Sequence, residues 1–409
     1  MQTRPILVLN SGSSSIKFSL WESGDAEPGK LLEGAVEGIG ADGKGKGEFW
    51  IKSWLKGADG SKVREEKAQV ADIGTAFELI SKGLSELQSP QPAAIGHRMV
   101  SAGPKITENM QLTPELIDEM ERYTSFAPLH APSEIFLMRQ AQKVYPGTPN
   151  FMCLDSWFHR DLPDVTRRLP IPAEYTAMGL RRFGAHGLSY ESIVGRLQPK
   201  IPARLIVAHL GNGASICAIR DGRSVDTSMG LTPTGGLISG SRTGDLDPGV
   251  LLFMLRDLAG REASIDEAAD ALEAIVNKQS GLAGVSGLSN DMRKLREAIA
   301  AGNTYARLAV SQFIYAIRSF AAAYIAVLGG LDMLVFTGGI GEHDAATRAE
   351  VCAGLKPFAL TIDEDRNRDA KGETTISRED SGVVVKVIPT AEDLTIVRHV
   401  SRLLDSVSS

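Results

Sequence analysis

The sequence predicts an α/β protein built from two domains. Segments with the period of strands alternate with segments of helical spacing along the whole chain. At 409 residues the chain is also long for one compact core. Two strand–turn–strand segments, at 6–20 and 205–219, both continue from a glycine-containing turn into Ser-Ile, which suggests two similarly built halves.

The N-terminal half begins with strands and continues with helices. A β-rich run at 6–9 is followed by a polar turn, after which Ile16, Phe18 and Leu20 alternate with polar residues, as in a strand. The stretch 38–62, rich in Gly, Lys and Asp, is expected to form outer strands and turns. Helical spacing is found at 73–87, 114–123 and 133–144. Residues 151–154 predict a buried strand that ends at Asp155.

The C-terminal half alternates more regularly. Helices are predicted at 266–278, 291–300, 304–328 and 391–404, and strands at 333–336 and 383–388. Residues 225–249, in contrast, are punctuated by Gly and Pro and have no period. An ordered loop of that length is uncommon unless it has a function.

Composition excludes several classes of protein. A net charge of -6 argues against a broad basic surface for nucleic acid or anionic lipid. Cys153, Cys217 and Cys352 lie far apart in apolar stretches, which predicts buried free thiols and a reducing compartment. The first apolar run stops at Leu9, too early for a secretion signal, and 320–328 is shorter than the ~20 residues of a membrane helix. We therefore expect a cytoplasmic protein.

Three glycine-containing turns could offer backbone N–H groups to a phosphate. They lie at 10–15, 211–215 and 338–341, and each follows a β-rich run. One such turn is usually an ordinary hairpin, and none matches the Walker or dinucleotide patterns. Three in one chain favour a nucleotide-binding protein.

Charged and imidazole side chains lie beside these turns and strand ends. His97, His130, His159, His186 and His209 are among the seven histidines, and a structural role is the expectation for His159 and for His399. Arg242 could be a solvated surface charge or a contact to phosphate. Asp155 could cap the next segment, or could lie where open α/β sheets hold their sites.

Eight motifs in one order carry a resemblance. They are Asn-Ser-Gly-Ser-Ser-Ser-Ile-Lys-Phe at 10–18, Gly-His-Arg at 96–98, Ala-Pro-Leu-His at 127–130, Arg-Arg-Phe-Gly-Ala-His-Gly at 181–187, His-Leu-Gly-Asn-Gly-Ala-Ser at 209–215, Asp-Thr-Ser-Met-Gly-Leu-Thr-Pro at 226–233, Ser-Arg-Thr-Gly-Asp-Leu-Asp-Pro at 241–248 and Gly-Gly-Ile-Gly-Glu at 338–342. Together they resemble the acetokinase family, from residue 6 to about residue 400.

The resemblance implies the fold of the acetate and sugar kinases, heat-shock chaperones and actin. That fold has two ribonuclease-H-like domains with a nucleotide cleft between them, and members of the family usually form homodimers. Residues 1–155 with 388–409 would form the N-terminal acyl-kinase domain, and 156–387 the nucleotide-binding and dimerisation domain. The implied activity is reversible transfer of a phosphoryl group from ATP to acetate, giving acetyl phosphate and ADP.

Site residues follow from matching motif positions. The implied ATP-binding residues are Ser13, Ser15, Lys17, His209, Leu210, Gly211, Asn212, Gly213, Asp291, Met292, Arg293, Gly339, Ile340, Gly341 and His343. Asn10 and Glu392 would hold Mg²⁺, for which Mn²⁺ can substitute. The implied catalytic residues are Asp155, Arg98, Arg242 and His186, of which His186 and Arg242 would stabilise the transition state. Substrate-binding residues would be Arg98, Val100, Leu129, Ala185 and Pro233.

The implied mechanism is direct in-line transfer. A carboxylate is already an adequate nucleophile, so the obstacle is repulsion between two anions, which guanidinium groups, an imidazole and Mg²⁺ would offset. The alternatives are an actin- or chaperone-like ATPase without acyl chemistry, and a sugar kinase that uses an Asp as base.

This chain differs from the family at positions that are expected to contact the acyl group and the nucleotide. Ala185 stands where a phenylalanine is usual, which would enlarge the pocket unless Trp157 refills it. Acetate is the expected substrate, with propionate or another short carboxylate as the alternative. His343 stands where an asparagine is usual, so the base preference is open.

Overall fold

The chain divides into two compact units, each built on one sheet. A computed structural model describes residues 3–12, 15–24, 27–40, 46–55, 59–127, 130–261 and 264–408. Unit 1 comprises Met1–Trp157 and Ala391–Ser409, and unit 2 comprises Phe158–Thr390.

Unit 1 contains an eight-stranded mixed sheet in the order β5-β4-β3-β2-β1-β6-β8-β7. Its strands are β1 (Arg4–Ser11), β2 (Ser15–Ser23), β3 (Gly29–Glu37), β4 (Lys46–Ser53), β5 (Lys62–Gln69), β6 (Ala94–Met99), β7 (Met110–Gln111) and β8 (Asn150–Leu154). Strands β1 to β5 form an antiparallel meander, whereas β1, β6 and β8 run parallel. The carboxyl ends of β1, β6 and β8 therefore meet at one edge.

Helices cover both faces of this sheet. They are α1 (Ile73–Glu86), α2 (Pro114–Glu121), α3 (Ala131–Val144) and α15 (Glu392–Ser408). Ile95 packs into the core formed with α1 and α3. A Cβ on the next residue, Gly96, would instead approach Ile396 and Val400 of α15 to within 2.8 Å. Because successive residues of a strand point to opposite faces, α15 lies on the face opposite α1 and α3.

Unit 2 contains a six-stranded sheet in the order β11-β10-β9-β12-β14-β13. Its strands are β9 (Arg204–Leu210), β10 (Ala214–Arg220), β11 (Arg223–Thr227), β12 (Met333–Thr337), β13 (Thr374–Thr375) and β14 (Val384–Val387). Strands β9, β12 and β14 are parallel, and β10 returns antiparallel along β9. The turn between β9 and β10 and the residues after β12 thus lie at the same edge of the sheet.

Two layers of helices enclose this second sheet. The helices are α4 (Asp164–Arg167), α5 (Ala173–Ala177), α6 (Gly187–Arg196), α7 (Pro248–Ala259), α8 (Ile265–Lys278), α9 (Gly281–Ser286), α10 (Met292–Ala300), α11 (Thr304–Leu328), α12 (Gly338–His343), α13 (Ala345–Gly354) and α14 (Glu364–Arg368). Alternate residues of β9 point into two separate clusters. Ile206 and Ala208 pack with α11, whereas Leu205 and Val207 pack with Tyr190 and Ile193 of α6.

The sequence analysis treated 320–328 as an apolar stretch too short for a membrane helix, but this stretch is the end of the longer helix α11. It has 25 residues, which by length and composition would suffice to cross a membrane. Ten of its residues, including Phe313 and Ile317, are buried, and they belong to the core of unit 2. Burial against this sheet therefore accounts for the apolar composition of the helix.

Other expectations also need correction. Residues 338–341, interpreted as a turn, begin the short helix α12. Within 225–249, the first residues belong to β11 and the last two begin α7, so that only the middle is irregular. The three cysteines are buried and free, as expected.

Candidate functional site

An arginine and a buried aspartate meet at the carboxyl edge of the sheet in unit 1. Arg98 is the fifth residue of β6, and Asp155 directly follows β8, where its backbone N–H donates to the carbonyl oxygen of Met99 over 2.8 Å. The Nη2 of Arg98 donates to Oδ2 of Asp155 over 2.8 Å, and its Nη1 donates to Oδ1 of Asn10 over 3.3 Å. Parallel strand order thus assembles three side chains that are distant in sequence.

Two further acids surround this arginine. Desolvation lowers the pKa of Arg98, but the charges of Asp155, Glu392 and Glu134 outweigh it and raise that pKa. Burial raises the pKa of Glu392, the first residue of α15, although the positive charge of Arg98 opposes the shift. Arg98 therefore remains a cation among several carboxyl groups.

The donor atoms here suit a hard cation. Asn10, Asp155 and Glu392 carry amide and carboxylate oxygens, which are the ligands that Mg²⁺ prefers. In the part of the chain that the structure describes, no three His, Cys, Asp or Glu side chains form a preformed metal cage. Mg²⁺ usually keeps several waters and takes one or two protein carboxylates plus substrate phosphate oxygens.

Two histidines of unit 2 form a stacked pair. The rings of His186 and His209 lie 4.2 Å apart, with 24° between their planes. The Nδ1 of His186 lies 2.8 Å from Oγ of Ser215, and the Nδ1 of His209 lies 2.8 Å from Oγ of Ser189. Each imidazole is thus held through Nδ1, so that Nε2 is the atom presented at the other end of the ring.

The glycine turn after β9 lies against these imidazoles and an arginine. A Cβ added to Gly213 would be 3.3 Å from both Nε2 of His186 and Nη1 of Arg242. The same Nη1 donates to the carbonyl oxygen of Pro233 over 3.3 Å. A cation, an imidazole nitrogen and an open backbone therefore converge at one point, which is the arrangement that binds a phosphate.

The backbone that carries Arg242 is itself packed closely on a glycine. Gly281 has φ +62°, and a Cβ at this position would lie 2.7 Å from the carbonyl oxygen of Arg242. Only a residue without a side chain allows this approach without strain.

A cavity of about 810 Å³ lies beside the same turn within unit 2. The lining residues that the sequence predicted are Gly211, Asn212, Asp291, Met292, Arg293, Gly339, Ile340 and His343. Arg293 is paired with Asp291 over 2.8 Å. The cavity is large enough for a nucleoside, and Gly211 and Asn212 of the turn after β9 form part of its wall.

The side chains of Glu342 and Arg348 support the glycines of α12. Oε1 of Glu342 accepts a hydrogen bond from the backbone N–H of Gly338 over 3.0 Å. Arg348, only 1% exposed, donates to the carbonyl oxygens of Gly341 and Glu342. These contacts hold the backbone that lines the cavity in place.

Several predicted residues fall outside these clusters. Ser13 and Leu129 lie outside the residues that the structure describes. Ser15 and Lys17 belong to β2 of unit 1, where Lys17 stands opposite Asn10. The side chain of Leu210 is fully buried in the core of unit 2, so that this residue could contact a nucleotide only through its backbone.

The predicted acyl-binding residues are buried or hydrogen-bonded. The backbone N–H of Val100 donates to Oε2 of Glu134 over 3.1 Å. Ala185 is 2% exposed, and its carbonyl oxygen lies 3.2 Å from Nε2 of His159. The indole N–H of Trp157 donates to Glu108, and its ring meets that of His399 edge-on at 4.7 Å, contacts that engage this side chain within unit 1.

Sequence reasoning missed the residues that support the site. They include Ser189, Ser215, Glu134 and Arg348, together with Asn290, Arg296 and Asp344 in the cavity wall. Ser215 lies within a quoted motif, but a serine next to an apolar strand gives no sign of which histidine it contacts.

Comparisons with known proteins agree over the whole chain. A sequence model of the acetokinase family matches residues 5–398. An acetate kinase from Clostridium botulinum is 38% identical over 410 residues, covering 97% of this chain and 99% of the relative. The crystal structure of acetate kinase from Porphyromonas gingivalis superposes with a TM-score of 0.82 at 34% identity, covering 98% of this chain and 100% of that chain. A propionate kinase from Francisella tularensis gives 0.84 at 34% identity, covering 96% and 98%.

Proposed function

Because this chain belongs to the acetokinase family, we propose that it transfers the γ-phosphoryl group of ATP reversibly to acetate, giving acetyl phosphate and ADP. Membership of the family makes the chain an ATP-dependent carboxylate kinase with the actin-like ATPase fold. The observation that carries the proposal is the convergence of His186 Nε2 and Arg242 Nη1 at Gly213. The relatives compared above are carboxylate kinases, so the chaperone-like ATPase and sugar-kinase interpretations are not retained.

At the phosphoryl-transfer site, positive charge and N–H donors surround the γ-phosphoryl group while it is transferred. The guanidinium of Arg242 stabilises the charge on the equatorial oxygens, and His186 donates from Nε2. The backbone of 211–213 lies close to the β- and γ-phosphates because its glycines have no side chain. The cavity beside α10 and α12 holds the adenosine.

At the acyl end, Arg98 binds the carboxylate of the substrate. Asp155 keeps the guanidinium in position by the 2.8 Å hydrogen bond, while Asn10 fixes the second nitrogen. Asn10 and Glu392 would hold Mg²⁺, which neutralises charge on the phosphate oxygens when it is bound. No general base is needed, because a carboxylate is already ionised and nucleophilic at neutral pH.

The size of the acid is a separate part of the proposal. A small side chain at Ala185 favours acceptance of propionate beside acetate, and one similar structure is that of a propionate kinase. Because Trp157 is engaged by Glu108 and His399, we do not assign it the filling role. One extra methylene in an apolar pocket changes discrimination by about 10- to 200-fold.

We also infer that the protein is a homodimer and acts in the cytoplasm. In α7 no described residue is buried, although the helix carries Leu252, Phe253 and Met254. Phe253 is 73% exposed and Tyr315 of α11 is 72% exposed. Such a run of exposed apolar side chains is typical of an obligate interface. The three buried free thiols agree with a reducing compartment.

Trapping of the acyl phosphate with hydroxylamine tests the function directly. The purified protein, ATP and Mg²⁺ are incubated with acetate, propionate or butyrate, and the hydroxamate is measured. We expect hydroxamate with acetate and with propionate. Absence of hydroxamate from every acid would overturn the assignment, and a preference for acetate above about 200-fold would overturn the enlarged pocket.

A further inference from the structure

A second cavity of unit 2 has an unusual concentration of positive charge. It has a volume of about 610 Å³ and is formed by α4, α5 and the residues that follow α5. Three arginines line it: Arg167, Arg168 and Arg181. None of the described side chains that line it is acidic, and the remaining wall includes Leu169, Ile171 and Leu180.

The arginines are only partly neutralised. Arg167 and Arg168 both pair with one carboxylate, that of Asp164, which Arg168 approaches to 3.1 Å. Two of the three guanidinium groups thus share a single acid, which leaves an excess of two positive charges at the cavity. Because arginine stays protonated in proteins, this excess cannot be relieved by loss of a proton.

Arg181 is the least compensated of the three. It is partly buried, and within the described residues it makes no ion pair or hydrogen bond. Its guanidinium lies over the ring of Phe183, 4.7 Å from the centroid, and this contact restricts its position. Burial, and then the charge of Arg167, lower the pKa of Arg181. A desolvated cation beside a like charge is unfavourable unless an anion offsets it.

We propose that this cavity binds a small phosphate-bearing anion between Arg181, Arg167 and Arg168. A preorganised guanidinium plane matches two phosphate oxygens at once, and a second and third arginine complete the neutralisation of a dianion. The apolar wall at Leu169, Ile171 and Leu180 would accommodate a short carbon chain attached to the phosphate. The site is distinct from the phosphate turn at 211–213.

The cavity adjoins the stretch of backbone that carries His186, one of the proposed catalytic residues. Arg181 begins the six-residue stretch that ends at His186. The next residue, Arg182, donates to the carbonyl oxygens of Thr166 and Thr227, and the backbone N–H of Phe183 donates to Gly230. An anion bound by Arg181 is therefore held by the same short segment that carries His186.

Phosphate-dependent stabilisation of the full-length protein tests the proposal. The rise in Tm is measured against inorganic phosphate and against glycerol 3-phosphate, with ionic strength held constant by KCl. The variants are Arg181→Gln, Arg181→Lys and, as control, Arg261→Gln, an exposed arginine paired with Asp257. Any phosphate bound at the 211–213 turn contributes equally to all of them, so the difference between variants reports the cavity alone.

We expect Arg181→Gln to weaken the phosphate response at least tenfold in apparent Kd, Arg181→Lys to be intermediate, and Arg261→Gln to match the wild type. Tighter binding of glycerol 3-phosphate than of inorganic phosphate would identify an ester as the ligand, and equal binding would identify free phosphate. If Arg181→Gln fails to fold, the double variant Arg167→Gln/Arg168→Gln keeps the contact with Phe183 and should show the same loss. An unchanged response in the folded variants would overturn the proposal while leaving the kinase assignment untouched.

Discussion

The Oγ of Ser215 lies 2.8 Å from Nδ1 of His186 and also contacts the hydroxyl of Tyr190, so that a buried chain of two hydroxyls ends on the imidazole. Tyr190 and Ser215 are fully buried. A hydroxyl that donates to Nδ1 leaves the proton of a neutral imidazole on Nε2, the atom near Gly213. Ser215 therefore fixes the orientation of His186, and we propose that it donates to Nδ1 and so also sets the tautomer.

The first prediction concerns this serine. Ser215→Ala should lower kcat by about ten- to hundredfold, because a small misplacement of a transition-state donor has a large cost, and should change the KM for ATP little. Ser215→Thr keeps the hydroxyl and should retain most of the activity. The ¹⁵N shifts of His186 report the tautomer, and an unaltered tautomer in Ser215→Ala would contradict the assigned role.

A second prediction follows from the contact between Gly281 and the backbone of Arg242. Gly281→Ala places a Cβ 2.7 Å from the carbonyl oxygen of Arg242 at φ +62°. The loop must move, and we expect turnover to fall at least tenfold, with a loss of stability of about 1–2 kcal/mol. Gly260→Ala, at φ -78° with no contact below 3.4 Å, is the matched control and should be active. Equal activity of the two variants would refute the packing argument.

The third prediction concerns pH and Glu134. Burial raises the pKa of Glu134 to about 8, against the opposing charge of Arg98 and the hydrogen bond from Val100. The folded protein therefore keeps a proton that the unfolded chain releases near pH 4.5, and the free energy of unfolding falls as pH rises from about 4.5 to 8.

Glu134→Gln removes this dependence while keeping an acceptor for Val100. Relative to the wild type, the variant should gain up to about 1.4 kcal/mol of stability per pH unit across that window. Urea unfolding at several pH values measures the gain, with Glu22→Gln, an exposed residue of β2, as control. Parallel curves for the wild type and Glu134→Gln would show that the carboxyl group is ionised throughout.

A fourth prediction tests the proposed dimer. Phe253→Glu or Tyr315→Glu introduces a charge into the exposed apolar surface of α7 and α11. Each variant should therefore be a monomer, whereas the wild type should be a dimer. Light scattering after size exclusion gives the mass. Val165→Glu, at a position that is 88% exposed on α4, should remain dimeric. A monomeric wild type at micromolar concentration would rule out the interface.

The sequence predicted some elements of this fold better than others. The helix at 304–328 and the strand at 151–154 before Asp155 were predicted because burial imposes a clear apolar pattern on them. The outer strand β5 (Lys62–Gln69) was not delimited, because an edge strand with alternating exposed charges carries little apolar signal.

The site shows a similar division. The sequence identified the site residues one by one: Arg98, Asp155, His186, His209 and Arg242. Which of them contact each other depends on the order of strands in the sheets and on close approaches between loops. The stacking of His186 on His209 joins a helix start to a strand end, and no local spacing encodes that contact. The contacts of Ser189 and Ser215 with these histidines were missed for the same reason.

The central claim is that guanidinium groups allow two anions to react, and turnover of Arg98→Ala and Arg242→Ala tests it most directly. We predict that acetyl phosphate formation falls by about 10³-fold or more in each variant, since an arginine at the transferring phosphoryl group contributes on that order, while the Kd for ATP stays within about tenfold. Arg261→Ala should behave as the wild type. Near-normal acetyl phosphate formation by Arg242→Ala would contradict the account.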